Sequence, residues 1–157
     1  MMFRVLPRTT DDRRLVVGWV PDADALYLFT GPRLHWPLTE SQLAEMEGRN
    51  GFTAWMLVDD ETNTPVGHFD FSLQSGTARI GRIILAPQMR GRGLAHVLVD
   101  NAIQQARRLG ASELTLNVIV GNEPAIRTYE RAGFVTIAES ARPGVRGMSR
   151  LLEESAP

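Results

Sequence analysis

The run Ile83-Ile84-Leu85-Ala86-Pro87-Gln88-Met89-Arg90-Gly91-Arg92-Gly93-Leu94-Ala95 holds the residues best suited to chemistry in this chain of 157 residues. Ile83, Ile84 and Leu85 read as a buried strand, Pro87 stops it, and two glycines lead directly into a helical pattern. A helix start leaves its first backbone N–H groups without internal partners, and the macrodipole places roughly half a positive charge there. Glycine lets that backbone approach an anion with no Cβ in the way. Gln88 to Gly93 therefore offers a cradle for a phosphate or pyrophosphate, with Arg90 and Arg92 as flanking charge. Two glycines at a strand-to-helix turn also serve simple tightness, so the loop alone leaves both readings open.

The composition narrows the remaining chemistry. There is no cysteine, which removes disulfides, thiolate metal sites and an acyl-cysteine intermediate, and points to direct transfer between two bound substrates if a group is transferred at all. All 17 basic residues are arginine. Without lysine there is neither a Walker-type phosphate loop nor a lysine Schiff base. His35, His68 and His96 are scattered and show no HxxxH or HExxH spacing, so they read as isolated histidines and no metal is expected. The 18 acidic residues balance the basic ones, and nothing in the bulk charge calls for nucleic acid or an anionic membrane. Arg4, Arg8, Asp11 and Asp12 interrupt the first apolar runs, which fits neither a signal peptide nor a membrane span, and a cytoplasmic protein is expected.

The elements that must position the loop follow from periodicity and breakers. Residues 3 to 7 read as a short strand, and the stretch to Gly48 as short helices broken at Pro21, Gly31-Pro32 and Pro37. Thr9-Thr10-Asp11-Asp12 supplies caps for the first, and Thr39 with Gln42 has capping-box spacing for the last. Trp19, Tyr27, Phe29, His35 and Trp36 in this region either cover the sheet or line a pocket. Phe52 to Val58, Val66 to Phe71 and Ala78 to Leu85 read as three antiparallel strands. Gly81 is out of place in the third, because an interior glycine weakens a strand unless a bulge or a close approach requires it. A helix from Gly93 to Leu109, a strand from Glu113 to Val120 and a helix from Asn122 to Ala132 follow. Phe134 to Ala138 and Gly147 to Leu152 close the sheet, and Glu153 to Pro157 reads as a frayed end. A right-handed crossover makes the Ala78 and Glu113 strands parallel neighbours. The expected architecture is α/β (α+β): one domain over 1–157, with a mixed, mostly antiparallel sheet of about six to seven strands and helices on both faces.

Gln88-x-x-Gly91-x-Gly93 resembles the (Gln/Arg)-x-x-Gly-x-(Gly/Ala) acyl-coenzyme A signature of the GNAT N-acetyltransferase superfamily, with the preceding strand and proline in register. Asn122-Glu123-Pro124-Ala125-Ile126-Arg127-Thr128-Tyr129-Glu130-Arg131-Ala132-Gly133-Phe134 resembles its second motif, Asn-x-x-Ala-x-x-x-Tyr-x-x-x-Gly-Phe. The resemblance covers 52–152 and leaves 1–50 as a variable helical region on the acceptor side. It implies an acetyl-coenzyme A dependent N-acetyltransferase acting on a primary amine, of a small molecule or a protein, in a ternary complex. The protein would be a monomer or a homodimer.

Residue by residue, the resemblance implies that the backbone N–H groups of Met89, Arg90, Gly91, Arg92, Gly93 and Leu94 hold the pyrophosphate, after Gln88. The pantetheine arm would run along Ile83, Ile84 and Leu85, with an N–H near Ile83 or Ile84 polarising the acetyl oxygen. Gly81 would mark the family's bulge, and Asn122 would contact the pantetheine or order the splayed strands. Tyr129 would lie near the sulfur and protonate the departing thiolate. The amine must lose a proton, and strand alternation puts Asp70 and His68 on one face as candidates to accept it, with a water relay as the alternative. The family's frequent glutamate base has no clear equivalent in this chain. A non-catalytic acyl-coenzyme A binding module is the competing reading from another class. A nucleotide-binding module fits less well, since the chain has no phosphate-loop lysine.

Overall fold

The structure is a computed structural model that describes residues 2–137 and 143–152. Ala138, where the expected sixth strand ends, and Glu153 to Pro157 lie outside the described residues. A strand β1 (Phe3–Pro7) leads into three short helices, α1 (Thr10–Gly18), α2 (Ala23–Thr30) and α3 (Glu40–Ala44). Thr9 and Asp12 form a reciprocal capping box at α1. At α3, Thr39 accepts from the Gln42 N–H, but the Gln42 side chain turns to the His35 and Pro37 carbonyls, so only half of the expected box is made.

The strands β2 (Phe52–Asp59), β3 (Thr64–Gln74) and β4 (Thr77–Leu85) form the expected antiparallel meander. It is followed by α4 (Ala95–Arg108), β5 (Glu113–Ile119), α5 (Glu123–Arg131), β6 (Val135–Thr136) and β7 (Val145–Leu151). One seven-stranded sheet results, in the order β1-β2-β3-β4-β5-β7-β6, and the β4–β5 pair is its parallel step. Helices cover both faces. An added Cβ on Gly67 would stand 2.9 Å from Leu98 of α4, whereas the next residue, His68, meets Phe29 of α2 on the opposite face. On α4, Leu98, Val99, Ala102, Ile103 and Ala106 are buried at spacings of one, three and four, each large side chain contributing roughly 1.5–3 kcal/mol. The helix starts at Ala95 rather than at the expected Gly93, because Gly93 has φ +71° and cannot belong to a right-handed helix.

Two irregularities shape the centre of the sheet. Asp70 pairs with Gly81 and His68 with Ile84, so Arg82 and Ile83 together oppose Phe69: β4 carries a bulge. The bulged residue in the left-handed region is Arg82, at φ +47°, and not Gly81. Pairing between β4 and β5 stops at Ile80 opposite Leu116, immediately before this bulge. From there on, the β5-facing edge of β4 has no strand partner among the described residues.

Candidate active site

The loop after β4 forms a 3-10 turn over Pro87–Met89 and then a stretch with open amides. The Met89 N–H bonds to Ala86 O at 2.9 Å and the Arg90 N–H to Pro87 O at 3.3 Å, so these two of the expected cradle amides are engaged inside the turn. Among the described residues no acceptor takes up the N–H groups of Gly91, Arg92, Gly93 or Leu94, which lead into the first turn of α4. Gly91 and Gly93 hold φ +73° and +71°, and an added Cβ would meet nothing within 4 Å at either. It is therefore the left-handed backbone that demands glycine here, and it aims successive amides outward as an anion site. Gln88 is exposed beside them, and Arg92 reaches back to the Met89 sulfur at 3.6 Å. Arg90 ties the loop down, donating to Leu85 O at 3.2 Å and to Trp19 O at 2.9 Å.

A trough of about 340 Å³ runs from this loop along the unpaired edge of β4. Ile83, Ile84, Leu85 and Leu98 make its floor apolar, and Asn122 and Tyr129 stand at its far wall. A free strand edge beside an apolar floor suits an extended chain that carries amides, which can bond to the edge as an added strand does. Asn122 occupies the first position before α5, but its side chain does not cap the helix. Tyr129 is held edge-on against Phe134, with ring centroids 6.0 Å apart. Burial pushes its hydroxyl pKa up to about 12, so it keeps its proton across the physiological range.

A second, polar cavity of about 130 Å³ adjoins the trough, with Leu28 and Phe29 of α2 lining both. Asp70 projects into it from β3, and Arg82 from the bulge. Asp70 Oδ2 accepts from Arg82 Nη1 at 2.7 Å, and Oδ1 lies 2.8 Å from where a Cβ on Gly81 would stand. Gly81 is thus required by the approach of a carboxylate, not by backbone conformation.

His68 shares this face but is fully buried, and both of its ring nitrogens are engaged. Nδ1 donates to Arg82 O at 2.7 Å, which leaves Nε2 as the acceptor facing Arg8 Nη1 at 3.1 Å. Burial is the main force holding its pKa down to about 4, and the charges of Arg8 and Arg82 add to it against the opposing pull of Asp70 and of the Arg82 carbonyl. Arg8, wholly buried in its side chain, also bonds Leu43 O and Glu47, and Arg13 bonds the same Glu47. Burial alone would raise the Glu47 pKa, but the hydrogen bonds from Arg8 and Arg13 outweigh it and hold the carboxyl below its usual range.

The structure brings the trough residues, the open loop and Asp70 around one junction, and sets His68 one layer behind it. Arg8, Arg33 and Arg82 were not singled out by the sequence. An arginine directly after the one interior glycine of a buried strand was the available signal for Arg82. Of the aromatic residues of the first fifty, Phe29 lines both cavities, Trp19 is buried, and Tyr27 and Trp36 are each 45% exposed. Among the described residues no group of three or more His, Cys, Asp or Glu is placed to hold a metal, and no helix is long and apolar enough to cross a membrane.

Comparison with known proteins agrees with this geometry. Residues 22–134 match the Acetyltransferase (GNAT) family. The peptidyl-lysine N-acetyltransferase YjaB of Escherichia coli is 31% identical over 136 residues, spanning 85% of this chain and 82% of the relative. Streptothricin acetyltransferase of Streptomyces lavendulae is 46% identical over 52 residues, 33% of this chain and 28% of the relative. Among solved structures, the spermidine N-acetyltransferase of Vibrio cholerae in complex with CoA and spermine superposes with a TM-score of 0.77 at 20% identity, covering 95% of each chain. With one sheet order, a bulged β4, an open glycine loop and a match over most of its length, the chain belongs to the GNAT acetyltransferase family.

Proposed function

We infer that the protein moves an acetyl group from acetyl-CoA directly to a primary amine, both substrates being bound at once. The observation that carries this reading is the meeting of two unlike cavities at the β4 bulge, one apolar and running from the open amides, the other polar and headed by a carboxylate. The open amides of Gly91 to Leu94 fit a pyrophosphate, and the free β4 edge fits a pantetheine arm. When bound there, acetyl-CoA supplies the activated acetyl thioester.

In the transfer a C–N bond forms, the C–S bond breaks, the amine gives up one proton and the thiolate takes one. Asp70 Oδ1 is placed to accept a hydrogen bond from the amine and to draw its proton off, directly or through water. An amide of the bulge near Ile83 or Ile84 polarises the acetyl oxygen. Tyr129 donates to the leaving sulfur. Against an alkyl thiol near 8.5, full transfer from a hydroxyl raised to about 12 is uphill, so the hydrogen bond to the developing thiolate carries most of its effect. His68 acts through the bulge as a positioning residue. The test is thiol release with a panel of amines: initial rates that depend saturably on both substrates, with intersecting double-reciprocal lines, are expected, and parallel lines or no amine dependence would overturn the reading.

A further inference from the structure

We propose that the polar cavity selects a small amine that also carries an oxyanion, a carboxylate or a phosphonate, over a polycationic amine. The inference rests on the acetyl-transfer reading and names the acceptor class for it. The charges lining the cavity are three guanidinium groups, from Arg33, Arg79 and Arg82, against the single carboxylate of Asp70 among the described residues. Arg82 already matches the Asp70 charge at 2.7 Å. Leaving Arg79 to its own partners, Arg33 still stands exposed at the end of the turn after α2, in no ion pair or hydrogen bond with a described residue. The lining is therefore net positive even by this count.

A polycation would enter against that field, since each of its further ammonium groups meets guanidinium and, among the described residues, no second carboxylate. An amine with an oxyanion finds two complementary ends: Asp70 Oδ1, which receives no hydrogen bond from a described residue, for the nitrogen, and the planar fork of Arg33 for the oxyanion. The buried Nε of Arg82, a residue of the same lining, also has no partner among the described residues. The cavity, at about 130 Å³, is well below the roughly 300–1,000 Å³ that holds drug-sized ligands, which favours a small acceptor. The same fold serves a spermidine N-acetyltransferase. The scaffold alone therefore does not decide the acceptor.

The experiment measures thiol release by the full chain with acetyl-CoA and L-alanine, L-threonine or L-methionine, each against its own amide, together with 1-aminoethylphosphonate and spermidine. The expected result is a kcat/KM at least tenfold higher for an oxyanion-bearing amine than for its neutral amide or spermidine. Arg33→Gln should bring the acid-to-amide ratio close to one by lowering kcat/KM for the oxyanion-bearing amines. Amides or spermidine turned over as well as the acids, or a ratio untouched by Arg33→Gln, would overturn the proposal. Should nothing turn over, calorimetric binding of N-acetylalanine against N-acetylalaninamide to the CoA-loaded protein decides separately. Preference for the acid upholds the charge selection while acetyl transfer falls, and no preference overturns both.

Discussion

The imidazole of His68 donates from Nδ1 to the carbonyl oxygen of Arg82 at 2.7 Å, and so a buried, neutral histidine holds the one left-handed residue of the β4 bulge in place. A non-glycine residue at φ +47° is strained by roughly 1–2 kcal/mol and persists only where its surroundings fix it. Two bonds fix this one: the carbonyl is held by His68 and the guanidinium by Asp70. Gly81 and Arg82 line the polar cavity and Ile83 and Ile84 the trough, so the junction of the two cavities depends on a fully buried side chain that lines neither.

This arrangement ties stability to pH. His68 has a pKa of about 4 in the fold and the ordinary 6.5 when unfolded, so as pH falls the unfolded chain takes up its proton first. The contribution is fully present above pH 6.5 and is lost as pH falls toward 4, by roughly 3 kcal/mol at about 1.4 kcal/mol per unit. Urea unfolding at pH 7, 5.5 and 4.5 should show this loss, and His68→Gln should flatten the slope across that window relative to the parent. An equal slope in the variant would show that His68 is not the titrating group.

At the loop, Gly91→Glu should place a carboxylate among the open amides and force a left-handed backbone on a residue with a Cβ, at a cost of about 1 kcal/mol. Acetyl-CoA at a hundredfold excess over Kd should raise the parent Tm by about 5–10 °C, and should not raise that of the variant. Gly91→Asn tolerates the same backbone without adding charge, and should keep most of the shift. Thermal scans with and without acetyl-CoA check all three proteins. A full shift in folded Gly91→Glu would remove the loop as the phosphate site.

These positions were the most legible in the chain, for a physical reason. At Gly91 and Gly93 the backbone angle itself demands the residue type, so local sequence reports local geometry. The Asn122 to Gly133 helix was legible in the same way, through its spacing and its glycine at φ +95°. The polar layer was not. Arg8 and His68 meet across sixty positions, and Asp70 and Arg82 meet across a bulge whose left-handed residue carries no glycine to mark it. Of the two reasons open for Gly81, a bulge or a close approach, the structure shows the second: it makes room for a carboxylate and does not itself bend the strand. Met89 and Arg90 looked like cradle residues because the turn that engages their amides is invisible until Pro87 is seen to open it.

For Tyr129, replacement by Phe removes one oxygen from a buried ring and leaves the packing against Phe134 intact. The variant should fold with a stability within about 1 kcal/mol of the parent and bind acetyl-CoA with a similar Kd. Its kcat should fall roughly 10–100-fold with little change in KM for the donor, the pattern of a contact made mainly in the transition state. Steady-state kinetics with calorimetric binding separates the two effects, and unchanged kcat would remove Tyr129 from the chemistry.

Gly81→Ala tests the carboxylate's position without touching it. The glycine is not in the left-handed region, so alanine meets no backbone strain, and its methyl would stand 2.8 Å from Asp70 Oδ1. That oxygen belongs to a short side chain tied at its other oxygen to Arg82, so it can move aside only by loosening the ion pair. The expected cost is about 1–2 kcal/mol in stability, with a rise in KM for the amine and little change in KM for acetyl-CoA. Asp70→Ala is itself destabilising, because it leaves a mostly buried guanidinium unpaired. In that background the added methyl meets no oxygen, and Gly81→Ala should cost almost nothing. A double-mutant cycle read by urea unfolding therefore predicts a coupling near the full cost of the single substitution. Additive effects would mean that the glycine answers to something other than Asp70.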